Sequence, residues 1–132
     1  MKKTYLIILV FIILVVAWFF LRFIIGGSED SWIKNEKGVW VKHGEPAETP
    51  DYVKEQQNAI SCALNLYNQK KLEGMVFSSQ CLGGCEDYAI DIVHVPRSEE
   101  DDKIENQCQD YREGKVNHFL ELDKDGEIVR IV

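Results

Sequence analysis

The chain has 132 residues, 45% hydrophobic and 11% aromatic, which is too apolar and too aromatic for a disordered polypeptide. The formal net charge is −7, unevenly spread: Lys2, Lys3 and Arg22 are the only charges before residue 28, so residues 29–132 hold the other 12 basic and all 22 acidic side chains, a balance of −10. An acidic domain of about a hundred residues has room for one core and repels phosphate backbones, which argues against nucleic acid as a partner.

Residues 5–21, YLIILVFIILVVAWFFL, contain no charge, glycine or proline. Arg22 interrupts the run, and Phe23-Ile24-Ile25 extends it to Gly26. A helix over residues 4–25 spans roughly the 30 Å of a bilayer's hydrocarbon core, with Arg22 snorkelling to the head groups. Lys2 and Lys3 precede the run while Glu29 and Asp30 follow it, so residues 1–3 are expected in the cytoplasm and everything after residue 25 outside. The run is longer than the roughly 7–15 apolar residues of a signal peptide, and Ile25 sits three before a cut after Gly27. A retained signal anchor in the cell membrane is therefore the reading, with secretion after cleavage as the alternative. There is no cysteine for a lipobox, and no glycine and glutamate for a type IV pilin start.

Residues 26–50 read as a spacer and a tryptophan hairpin. Trp32-Ile33 and Val39-Trp40-Val41 flank Asn35-Glu36-Lys37-Gly38, with the glycine supplying a positive φ. Trp32 and Trp40 are candidate contacts for a protein partner or for the membrane interface, or else they cap the core. Residues 51–132 read as the exterior domain. Thr49-Pro50-Asp51 predicts a helix start, Thr49 capping, with the helix running to about residue 71 and stopping at Gly74. Val53, Ile60, Ala63, Leu64 and Tyr67 form its apolar face, with Cys62 at the edge.

Four strands are expected after it: 75–79, 88–95, 116–122 and 127–131, with 80–86 as a turn bounded by Cys81 and Cys85. Tyr88, Ile90, Ile92 and His94 share one face of the second strand; Ala89, Asp91, Val93 and Val95 share the other. Asp123-Lys124-Asp125-Gly126 is a hairpin turn. Its likeness to a calcium loop fails because the chain ends before a twelfth-position Glu. Residues 97–114 form a long acidic connection, either pinned by Cys108 or functional. The expected fold is α+β: one amphipathic helix across an antiparallel sheet of about four strands.

Cys62, Cys81, Cys85 and Cys108 all fall in the exterior domain, where thiols pair. Two disulfides are expected; three pairings exist, and spacing does not choose among them. The alternative is a zinc site of four thiolates, or of three with His94 or His118, or a thiol-redox pair at Cys81 and Cys85, although three intervening residues is not the C-x-x-C spacing. His94 and His118 fall on strands that would be neighbours and would reach each other across the sheet, with Asp91 nearby but on the opposite face. No Ser-His-Asp or Cys-His set has a recognisable context, so no catalytic residue and no cofactor is assigned.

WVKHGEP at 40–46, VHVPR at 93–97, ENQC at 105–108 and YREGKVNHFLELDKDGEIVRI at 111–131 resemble segments of small membrane-anchored or secreted archaeal proteins. Lys34 and Ile90 stand where some of those proteins carry Cys, and Cys81 and Cys85 supply a different pair. The resemblance implies an exterior, cysteine-containing α+β domain and no particular activity. The expected function is a non-enzymatic binding or assembly module, anchored by residues 4–25 and displayed outside the cell, with an unidentified protein partner.

Overall fold

The computed structural model describes residues 2–20 and 30–132. The end of the expected anchor, Arg22 included, and the start of the spacer lie outside the described residues. The chain forms two units, Met1–Ser31 with Lys42–Ala47 and Trp32–Val41 with Glu48–Val132.

In the first unit, α1 spans Lys2–Phe20. Lys3–Phe20 is 18 residues long, about 27 Å of helix, and none of it is buried. Tyr5, Phe11 and Trp18 are all more than 60% exposed. A helix apolar on every face has no solvated side, the pattern of a membrane span or a signal sequence.

The expected hairpin forms, β1 (Ser31–Lys34) paired with β2 (Trp40–His43), and the second unit holds its Trp32–Val41 part. The Asn35 carboxamide oxygen accepts the Lys37 and Val39 N–H groups, each at 3.0 Å, and Gly38 takes a φ of 80°. That glycine is required twice over, since a Cβ there would fall 2.1 Å from the Ile131 carbonyl oxygen.

Helix α2 spans Asp51–Leu72. Its N-cap is Pro50, one residue later than expected, and no side chain caps it: the extended Pro50 lets its own carbonyl accept from Val53 and Lys54. At the other end the Gly74 N–H bonds to the Lys71 carbonyl and the Met75 N–H to the Lys70 carbonyl, with Gly74 at φ 81°. This is a Schellman stop, and it places the helix end where Gly74 predicted it. The buried face is Val53, Gln56, Ala59, Ala63 and Tyr67, with Ile60 and Leu64 half-buried.

Strands β3 (Gln80–Cys85), β4 (Tyr88–Ile92), β5 (His118–Leu122) and β6 (Ile128–Ile131) form one sheet in that order. Two expectations are corrected. The first strand is not 75–79 but the cysteine-bounded segment read as a turn. Gly83 and Gly84 looked like turn residues, yet they serve a strand on which α2 packs closely: a Cβ on Gly83 would sit 3.0 Å from a Leu66 methyl. The sheet is also mixed rather than antiparallel. β3/β4 and β5/β6 are antiparallel, but β4 and β5 run parallel, pairing Tyr88 with His118 and Asp91 with Glu121. Parallel neighbours need a long crossover. Residues 93–117 supply it, through two 3-10 turns, Glu99–Asp102 and Ile104–Asn106, and a short helix α3, Gln109–Arg112.

The core lies between α2 and one face of the sheet. Ala59, Ala63 and Tyr67 meet Ile90, Ile92, Leu120, Leu122 and Ile131, all 3% exposed or less. Each fully buried Ile or Leu contributes about 1.5–3 kcal/mol. The acidic connection covers the other face, which is why every residue of β4 is buried.

Candidate functional site

Alternation along β4 and β5 turns Asp91 and Glu121 away from α2, and the parallel register sets them side by side. Adjacent like charges under cover are unfavourable without counter-charge. Two arginines supply it. Arg97, from the connection, donates to Glu121 Oε1 at 2.8 Å. Arg130, from β6, donates from Nε to Oε2 at 3.0 Å and from Nη2 to Oε1 at 3.1 Å. The Arg130 guanidinium lies 4.9 Å over the Phe119 ring, whose edge contact with Tyr111 is also 4.9 Å. These groups line a chamber of about 160 Å³ between sheet and connection.

The chamber's two carboxylates nearest the connection are held in opposite electrostatic states. Burial pushes Asp91 up to about 6, and Glu121 pushes the same way, against the Cys108 N–H it accepts at 3.0 Å and the nearby Arg97. Asp101 is also enclosed, and burial alone would raise it. Donation from the Ser98 and His94 N–H groups and from the Ser79 and His94 side chains outweighs that and holds it at about 2. Asp101 and Ser98 form a reciprocal capping box on the first 3-10 turn. The box holds the turn in shape, while the Arg97–Glu121 pair and the Cys108 N–H to Asp91 fasten the acidic connection to the sheet.

His94 and His118 do not meet. The parallel pairing puts His118 beside Tyr88, stacked at 4.8 Å, while His94 lies beyond the other end of β4. An antiparallel β5 would have brought them together. His94 Nδ1 is 3.0 Å from Asp101 and 2.9 Å from the Ser98 hydroxyl, and Nε2 is 3.5 Å from the Ser78 hydroxyl. Ser78, His94 and Asp101 stand in the order of an acid–base relay. Nδ1 is shared between Asp101 and the Ser98 hydroxyl, however, and 3.5 Å to Ser78 is the limit of a hydrogen bond, so the set reads as a turn clamp.

All four cysteines are bridged: Cys62–Cys85, with Cα atoms 5.9 Å apart, and Cys81–Cys108, at 4.7 Å. The first ties α2 to β3 inside the core; the second ties β3 to the acidic connection. With every sulfur in a bridge there is no thiolate for zinc, and the zinc reading draws no support from this arrangement.

Trp32 and Trp40 are half-buried. Trp32 Nε1 donates to the Glu48 carbonyl at 3.0 Å; the Trp40 ring lies 4.8 Å from Tyr52, with Lys34 Nζ over it at 5.2 Å. Gln56 fixes the hairpin on α2: its carboxamide accepts from Trp40 N at 2.8 Å and donates to the Gly38 carbonyl at 2.9 Å.

No family model, curated protein or solved structure matches this chain. An apolar helix near the amino terminus and two disulfides in the domain that follows are consistent with an extracytoplasmic location.

Sequence reasoning missed Gln56, Glu121, Arg97 and Arg130. The signal for Glu121 was present: like Asp91, it is a lone charge inside an apolar strand, in Phe119-Leu120-Glu121-Leu122. Gln56 lies on the apolar stripe of α2, three residues after Val53 and seven before Ala63, where a buried polar group has to find partners.

Proposed function

We propose that this chain is a single-pass membrane protein with its amino terminus inside, displaying a disulfide-tied, non-enzymatic binding module that engages a protein partner through the tryptophan hairpin. The observation that carries the reading is the rigid aromatic ledge. The Trp40 ring lies tilted against Tyr52, which is 48% exposed, with Lys34 Nζ over its face, on a hairpin clamped from beneath by Gln56. Half-buried aromatics with fixed rings lose little entropy when covered, the property of interface anchors. Trp32, tied to Glu48, supports the hairpin from its other strand.

Photo-crosslinking residues placed at Lys34 and Tyr52, on either side of the Trp40 ring, test this in cells. The reading expects one discrete crosslinked species at both positions, lost in Trp40→Ala while both bridges and the thermal transition persist. Crosslinks at neither position, or a species indifferent to Trp40, would refute it. Protease protection in sealed vesicles tests the topology separately: residues 30–132 are digested only from the exterior side.

A further inference from the structure

We infer that the Cys81–Cys108 bridge is a thiol-exchanging disulfide, opened by an external thiolate at Cys81, with the Asp91 carboxyl as proton donor to the departing Cys108 sulfur. This goes beyond the binding reading and uses none of the hairpin. Three features set this bridge apart from the other.

The first is asymmetric exposure. Cys81 is exposed, whereas Cys108 is 3% exposed. Cys85 is 2% exposed and packs with half-buried Cys62 against the main core, so an incoming reagent meets the Cys81 bridge and is kept from the other. The second is approach. A groove of about 260 Å³ runs past Cys81 and Cys108, walled in part by Gly83 and Gly84, which carry no side chain to screen the sulfurs.

The third is the surroundings of the leaving sulfur. Cys108 Sγ lies 3.4 Å from the Ile90 carbonyl oxygen and 3.5 Å from that of Gly83. A thiolate there would face only acceptors and needs a proton. An Asp91 carboxyl oxygen lies within 4.8 Å of both sulfurs. Burial keeps that carboxyl protonated up to about pH 6. The charged and titratable groups around it are Glu121 on β5, Arg130 on β6, and Arg97, Asp101 and Tyr111 on the connection; β3 offers Cys81 and, just before it, Ser79.

The step balances. The thiolate RS⁻ bonds to Cys81 Sγ as the Cys81–Cys108 bond breaks, giving the mixed disulfide RS–SCys81. The substrate sulfur is oxidised and the Cys108 sulfur reduced. Asp91 passes its proton to Cys108 through one bridging water, a relay that spans a gap of up to 4.8 Å, and becomes a carboxylate that still accepts the Cys108 N–H. The resulting thiol donates to the Ile90 carbonyl. A second thiolate attacking the R sulfur releases RSSR and leaves Cys81 as a thiolate.

The test uses the full chain in detergent micelles, 2-mercaptoethanol as probe, acid quenching and peptide mapping. Rates are divided by thiolate concentration. The inference expects the adduct on Cys81 and a normalised rate that falls as pH rises from 6 to 8. It expects a flat profile at Cys62–Cys85, and an Asp91→Asn variant slower by about 10- to 100-fold at pH 6 with no pH dependence. An adduct on Cys108, a flat wild-type profile, or an Asp91→Asn rate equal to wild type would overturn it. If Asp91→Asn does not fold, the wild-type profile and the adduct position decide alone.

Discussion

Replacing Asp91 by Asn should stabilise the protein at neutral pH, although Asp91 accepts a buried hydrogen bond. The folded state raises this carboxyl from 3.8 to about 6, chiefly by burial. Between those values the folded chain holds a proton that the unfolded chain has released, so stability falls as pH rises from about 4 to 6. A shift of about two units corresponds to roughly 3 kcal/mol lost by pH 7. Asparagine carries no charge, and its carbonyl can still accept the Cys108 N–H now held at 3.0 Å. Urea denaturation of the full chain in micelles, followed by tryptophan fluorescence, measures the difference. Asp91→Asn should exceed wild type by about 2–3 kcal/mol at pH 7.5, with the gap closing by pH 4. A gap independent of pH, or a wild type more stable at pH 7.5, would refute the placement of Asp91 as a buried carboxyl under the connection.

Asp101 should behave in the opposite sense. Its carboxyl is held at about 2 by the hydrogen bonds it accepts, so it contributes about 2 kcal/mol above pH 4 that disappears as pH falls through 2; wild type and Asp101→Asn should differ at pH 5 and converge near pH 2. Gln56→Ala strands the Trp40 N–H and the Gly38 carbonyl beneath the hairpin, and a cost of about 2–3 kcal/mol in urea midpoints is expected. Replacing Cys62 and Cys85 together by Ser removes a bridge spanning 23 residues, which should lower stability by about 3 kcal/mol.

The parts of this fold that were legible came from local chemistry. Asn35 and Gly38 specify one hairpin turn, Asp123 and Gly126 another, and Gly74 stops α2, because each acts through its own backbone angles and near neighbours. Register and strand direction were not legible. Nothing local separates a parallel β5 from an antiparallel one; the available clue is the length of the acidic connection, expected as a loop over 97–114 and found as a crossover over 93–117. The parallel direction of β5 sets His118 at the end of the sheet away from His94 and brings Glu121 beside Asp91, which creates the chamber. The Gly83-Gly84 pair misled for a related reason, since glycine marks close packing as well as turns. The cysteine pairing depended on the same register.

The proposed surface role requires an exterior domain whose acidic connection is bridged to its first sheet strand. Isolating the full chain from membranes under rapid alkylation, then mapping peptides without reduction, tests this most directly. The expected result is no alkylated cysteine and two linked pairs, Cys62 with Cys85 and Cys81 with Cys108. Four alkylated cysteines, or Cys81 joined to Cys85, would contradict it.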